Sequence, residues 1–185
     1  MSSLLFFGQE ENTLGVFESD TTWLKEIIKF PIHFAPEIKY EGYEDLRFAK
    51  KWREETHEDF WCYTFAWHIK KLEKQSTNML EETIKSYYDG LMTAVNKKEH
   101  FKVPETTVLF LKTDERNEDT DFLGKIYVYD SFITEDMITL NVRVKEYYCK
   151  DKKSSTVVFR LSPQNFDHDI WERFKKIKLK SDICN

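Results

Sequence analysis

Glycine and proline are scarce, with five and four residues among 185. That scarcity argues against a loop-rich or low-complexity chain. Cysteine is as sparse: Cys62, Cys149 and Cys184 are odd in number, far apart, and form no C-x-x-C pair. A zinc knuckle and a redox dithiol are therefore excluded, and reduced thiols in a cytoplasm are expected. Long apolar runs are missing too. The N-terminus, MSSLLFFGQEEN, has four consecutive apolar residues and no basic region before them. Neither a signal peptide nor a membrane span is expected there, which again suggests a cytoplasmic protein.

Net positive charge is lacking. The net charge of −5 disfavours nucleic-acid binding, because phosphate contacts need a basic surface. The basic stretch Arg173, Lys175, Lys176, Lys178, Lys180 reads as the solvated face of a terminal element. An acidic chain suits a basic protein partner instead.

Motifs of chemistry are also absent. Gly8, Gly15, Gly42, Gly90 and Gly124 stand alone, so no phosphate loop forms, and no G-x-S-x-G occurs. His33, His57, His68, His100 and His168 never fall at metal-ligand spacing, and His57-Glu58-Asp59-Phe60-Trp61 lacks the second His of H-E-x-x-H. Asn117-x-Asp119-x-Asp121 offers alternating oxygens, but Phe122 and Val128 stand where a calcium loop needs Gly and Glu. No metal, cofactor or catalytic residue is expected. An enzyme is the less favoured class.

What the chain does have is aromatic residues, at 16%, within 41% hydrophobic and 33% charged residues. They concentrate in residues 60–95. Trp61, Tyr63, Phe65, Trp67 and Ile69 alternate as in a strand, opposite Cys62, Thr64, Ala66 and His68. Leu80, Ile84, Tyr87, Tyr88, Leu91 and Val95 then follow helical spacing. Ser76, Thr77 and Asn78 are suitable caps, Asn78-x-x-Glu81 approximates a capping box, and Glu81 and Lys85 stand at i,i+4. Gly90, costly inside a helix, marks close packing against the sheet.

Around this unit, residues 3–18 read as a hairpin or attached strand. Residues 21–29, with Trp23, Leu24, Ile27 and Ile28 after Asp20, lean towards a helix, with a strand left open. Residues 30–40 alternate but contain Pro31 and Pro36, which predicts an edge or bent strand. Leu46 and Phe48 suggest another short strand, and residues 50–59 an exposed charged segment. Further strands are predicted over 106–112, 123–132, 138–148 and 155–161, with a turn at 150–154. A helix over 165–174, capped near Asp167, and a final strand at Ile177 and Leu179 complete the chain. The fold expected is α+β, one domain over 1–185: a single antiparallel sheet packed by one long central helix, with a C-terminal helix.

The run FWCYTFAWHI with YYDGLM downstream, preceded by FAPEIKYEGYEDLRFAKKW, resembles a group of small uncharacterised bacterial proteins. These share a W-x-Y-x-F-x-W strand and a Y-x-G-L helix, and the likeness spans about residues 30–95. Some relatives of that kind are exported, whereas no leader is read here. The resemblance implies no activity and no catalytic residue.

Two functions follow. The first is a non-enzymatic, immunity-type protein that neutralises a basic toxin by surface occlusion. Its contacts would be Asp114, Glu115, Glu118, Asp119 and Asp121 in one acidic loop and Glu54, Glu55, Glu58 and Asp59 in another segment. The alternative is a small-molecule cleft beside the aromatic strand, lined by Trp61, Tyr63, Trp67 and His68, with His68 or His57 pointing in and binding or hydrolysing its ligand.

Overall fold

The computed structural model describes residues 14–18, 22–71, 73–114 and 120–184. Among them, seven strands form one antiparallel sheet: β1 (Leu24–Lys29), β2 (Gly42–Phe48), β3 (Tyr63–Lys70), β4 (Thr107–Lys112), β5 (Phe122–Tyr129), β6 (Met137–Cys149) and β7 (Ser154–Ser162). Their order across the sheet is β1-β2-β3-β7-β6-β5-β4. Two helices accompany them, the long α1 (Thr77–Val95) and the short, C-terminal α2 (Ile170–Lys175). No helix among the described residues is long and apolar enough to cross a membrane.

The expected helix over 21–29 is instead β1. Its six residues pair with β2 from Leu24↔Phe48 to Lys29↔Tyr43, and sheet pairing overrides the helical spacing. The alternation over 30–40 misled in the other direction. Ala35 N–H donates to Ile32 O (3.2 Å) and Ile38 N–H to Ala35 O (3.1 Å), so turns bring every third residue inward. Ile32, Ala35 and Ile38 are buried, and the segment is a lid rather than a strand. Strand β5 stops at Tyr129 because the Asp130 carboxylate accepts from Phe132, Ile133 and Thr134 N–H (2.9, 3.1 and 2.9 Å) and forces a turn.

Ser76 caps α1, its hydroxyl accepting from Met79 N–H at 3.3 Å. Leu80, Ile84, Tyr87, Tyr88 and Met92 are buried. The polar stripe Glu81, Lys85, Asp89 runs along the edge strand β4. There Glu81 accepts from Phe110 N–H (2.8 Å) and Asp89 from Thr106 N–H (2.6 Å), which covers edge donors that would otherwise stay unpaired. Lys85 therefore pairs with Asp89 (2.6 Å) and Glu105 (3.1 Å), not with Glu81 as its spacing suggests. Gly90 is packed against the 30–40 lid rather than the sheet: a Cβ there would land on the Phe34 carbonyl oxygen.

Two apolar clusters flank the sheet. On the α1 side, Phe65, Trp67, Phe159 and Val142 meet the helix and the lid. On the other side, Cys62, Ala66 and Val158 pack against Val16 and Phe17 and against Ile170, Trp171 and Phe174 of α2. The face of β3 with the small residues is thus covered too, down to the half-buried His68. Residues 178–180 run beside 16–18, with Glu18 N–H donating to Lys178 O (2.9 Å) and Lys180 N–H to Val16 O (2.8 Å). The final strand expected there is a single bridge, Phe17↔Leu179. Most of the hairpin expected over 3–18 lies outside the described residues. Helix α2 is shorter than predicted and begins after Asp169, which makes no side-chain cap.

Cys149 and Cys184 are joined in a disulfide, with Cα atoms 5.4 Å apart. The expectation of three reduced thiols is therefore overturned, and the cysteines no longer favour a cytoplasm. Cys62 is the free thiol, buried, and burial pushes its pKa up to about 12.

Candidate aromatic groove

On the α1 side the sheet is not fully covered. A groove of about 850 Å³ opens between β1, β2, the lid and the C-terminal half of α1. The even positions of β2 point to this side, so Leu46 and Phe48 form the floor beside Tyr63 of β3. Phe34 of the lid and Leu91 and Val95 of α1 form one wall. Trp52, Trp61 and Phe132 close one end. Phe48 stacks on both Trp52 (5.0 Å between centroids) and Tyr63 (5.4 Å), while Trp61 and Phe132 each lie 5.9 Å from Trp52.

Trp61 is not on the strand. It has φ +50° in the turn before β3, where its N–H donates to Trp52 O at 2.9 Å. That turn places the two indoles side by side. Trp61 is 2% exposed, and its indole N–H has no acceptor among the described residues. A buried donor without a partner is uncommon and costly. Lys50 and Arg53 flank Trp52 on the rim, and the Arg53 guanidinium lies 4.7 Å from the Trp52 ring centre.

Behind the floor lies a buried carboxyl. Glu44 of β2 accepts from Trp67 Nε1–H (3.3 Å) and from the Tyr87 hydroxyl (3.2 Å). Burial, opposed in part by these two hydrogen bonds, raises its pKa to about 8. Tyr63 and Tyr88 share a hydroxyl–hydroxyl hydrogen bond beside it, and burial lifts the pKa of Tyr63, Tyr87 and Tyr88.

Of the cleft residues expected from the sequence, Trp61 and Tyr63 line the groove. Trp67 does not: it is fully buried under Phe30 and Tyr40 (6.2 and 5.8 Å). His68 points to the opposite face, where its Nδ1 meets the Thr156 hydroxyl at 2.9 Å and burial lowers its pKa. His57 accepts from Asp59 N–H (3.0 Å) and does not line the groove.

The acids expected to meet a partner are dispersed. Within 50–59, read as exposed, Trp52 and Asp59 are buried. Glu58 and Asp59 pair with Arg173 of α2 at 3.3 and 2.7 Å, tying the β2–β3 connection to the C-terminal helix. Glu54 pairs with Lys51 (3.2 Å), and Glu55 is exposed. Asp121 holds Lys145 (3.0 Å) and Glu146 N–H (2.8 Å), a structural role, while Asp114 is exposed. Glu115, Glu118 and Asp119 lie outside the described residues. The strand register puts the β2–β3 connection at one end of the strands and Asp121, beside Val144 and Glu146, at the other.

A smaller polar hollow of about 390 Å³ lies by Glu58, Gln164 and Asp167 to Asp169, where His168 Nδ1 already accepts from Ile170 N–H (3.1 Å). No group of three or more His, Cys, Asp or Glu able to hold a metal occurs among the described residues.

Sequence reasoning missed Glu44, Tyr87, Lys50 and Arg53. Signals existed: Glu44 shares its alternation with Leu46 and Phe48, and Trp52 is flanked by cations in Lys50-Lys51-Trp52-Arg53. Comparison with protein-family models, with curated proteins and with solved structures found no match.

Proposed function

We propose that this is a binding protein whose ligand lies in the aromatic groove beside β2, β3 and α1. The observation that carries the reading is the groove itself. Its volume of about 850 Å³ falls within the range of ligand sites, and its walls are mainly aromatic and aliphatic. Binding rather than hydrolysis is the better supported half of the cleft reading. The free thiol lies on the other face, and Glu44 is screened from the groove by Tyr87. A toxin-neutralising surface draws less support, because Asp121 and the acids of 54–59 lie at opposite ends of the strands and Glu58, Asp59 and Asp121 are engaged internally.

The test is a plug. Ala94 is exposed on α1 and lines the groove, so Ala94→Trp fills the space without touching the core. Titration with the uncharged dye Nile red should show saturable binding to the native protein. Ala94→Trp should lose at least about tenfold in affinity, since the dye's apolar contacts are replaced. Equal binding by both proteins, with equal unfolding midpoints, would remove the groove as the site.

A further inference from the structure

We infer that the groove takes a small amphipathic carboxylate of the fatty-acid kind, its apolar body along the aromatic floor and its carboxylate at the Lys50–Arg53–Trp61 end. This deepens the groove reading above and rests on it. Three independent features meet at that end. The first is charge. On a chain of net charge −5, Lys50 and Arg53 stand together on the groove rim, and neither makes an ion pair among the described residues. The second is the unmatched donor. Trp61 lines the groove, its buried indole N–H has no acceptor among the described residues, and a carboxylate oxygen is the strongest acceptor a small ligand can bring. The third is proximity. Trp52 links the two, with Trp61 at 5.9 Å from its ring and the Arg53 guanidinium at 4.7 Å.

The β1 side of the groove, level with Leu46 and Phe48, sets the ligand's direction. Lys25 there already donates to Leu14 O at 2.7 Å, and Glu26 supplies the lining's carboxylate. An anionic head would be repelled by Glu26 and drawn to Lys50 and Arg53, while the apolar body covers Phe48, Tyr63 and Phe34. A cationic amphiphile would meet Lys50 and Arg53 and gain nothing from a second donor at Trp61. An uncharged alcohol would fill the same volume and could accept from Trp61, but it would forgo the two cations.

The experiment titrates the full-length protein with decanoate, decanol and decylamine at neutral pH and low salt, followed by tryptophan fluorescence and by the indole N–H resonance of Trp61. Decanoate should bind roughly tenfold or more tighter than decanol, decylamine weakest, and decanoate should move the Trp61 resonance further downfield than decanol does. In Lys50→Gln/Arg53→Gln, both exposed positions, the preference for decanoate over decanol should fall to about twofold or less while decanol affinity is kept. Equal affinity for decanoate and decanol in the native protein, or a preference that survives the double substitution, overturns the proposal. Nile red binding without binding of any of the three overturns the ligand class and leaves the groove standing. Absence of Nile red binding as well overturns both.

Discussion

The two faces of the sheet are closed by different means, and the difference accounts for the groove. The face with the small β3 residues is sealed by chain termini drawn in by a buried ion pair. Asp45 accepts from Val16 and Phe17 N–H (2.9 and 3.2 Å) and pairs with Arg47, whose guanidinium lies 5.3 Å from the Phe17 ring centre. The face under α1 carries rings instead: Phe48, Tyr63, Phe65 and Trp67. Rings fix their neighbours at 4.5–6 Å and cannot tile a twisted sheet completely, so the cover stops short and leaves the groove. One face has used its polar groups internally. The other keeps, among the described residues, a donor without an acceptor at Trp61 and two cations, Lys50 and Arg53, outside any ion pair.

The strongest way to break this contrast is Asp45→Ala. It leaves Arg47 buried without its partner and two backbone N–H groups without an acceptor, and should cost about 3–5 kcal/mol in denaturant unfolding. Nile red affinity of the folded fraction should be unchanged, because the groove lies across the sheet. A loss below about 1 kcal/mol would mean that apolar contact alone holds the terminal segments.

The groove face answers to pH. Glu44 has a folded pKa of about 8 against an ordinary value of 4.5, so folding favours its protonated form. Its contribution is fully present below pH about 4.5 and is lost as pH rises through about 8. Measured by urea unfolding at several pH values, the native protein should lose stability relative to Glu44→Gln across that window, by an amount on the order of a few kcal/mol. A difference that stays flat with pH would show that Glu44 is hydrated or paired in solution.

The same contrast explains what was legible beforehand. Strands β3 to β7 and α1 follow from period-two and period-3.6 patterns and from short apolar runs, although β3 and β7 are buried on both faces. The misreadings at 21–29 and 30–40 share a cause. Ile27 and Ile28 suit a helix or a strand equally, and only the distant partner β2 decides. Phe30, Ile32 and Phe34 alternate, yet the lid is folded by turns that bury Ile32 and Ala35. The groove was half legible. Trp61 and Tyr63 announce themselves by type, but whether Trp67 or Phe34 faces the opening depends on where the lid falls. The disulfide was not legible, since nothing local brings Cys149 near Cys184 across 35 residues.

Where the lid falls is itself testable through Gly90. In an exposed helix, Gly→Ala stabilises by roughly 1 kcal/mol, through lower chain entropy and better propensity. At Gly90 the added methyl would collide with the Phe34 carbonyl, a backbone atom that cannot step aside without moving the lid. Gly90→Ala should therefore destabilise by about 1–3 kcal/mol, reversing the usual sign. Because Phe34 also packs on Tyr87 at 5.2 Å and walls the groove, the displaced lid should widen the site and weaken Nile red binding. A stabilised Gly90→Ala with unchanged dye affinity would show that lid and helix are not in close contact, and the groove wall would then have to be drawn from α1 alone.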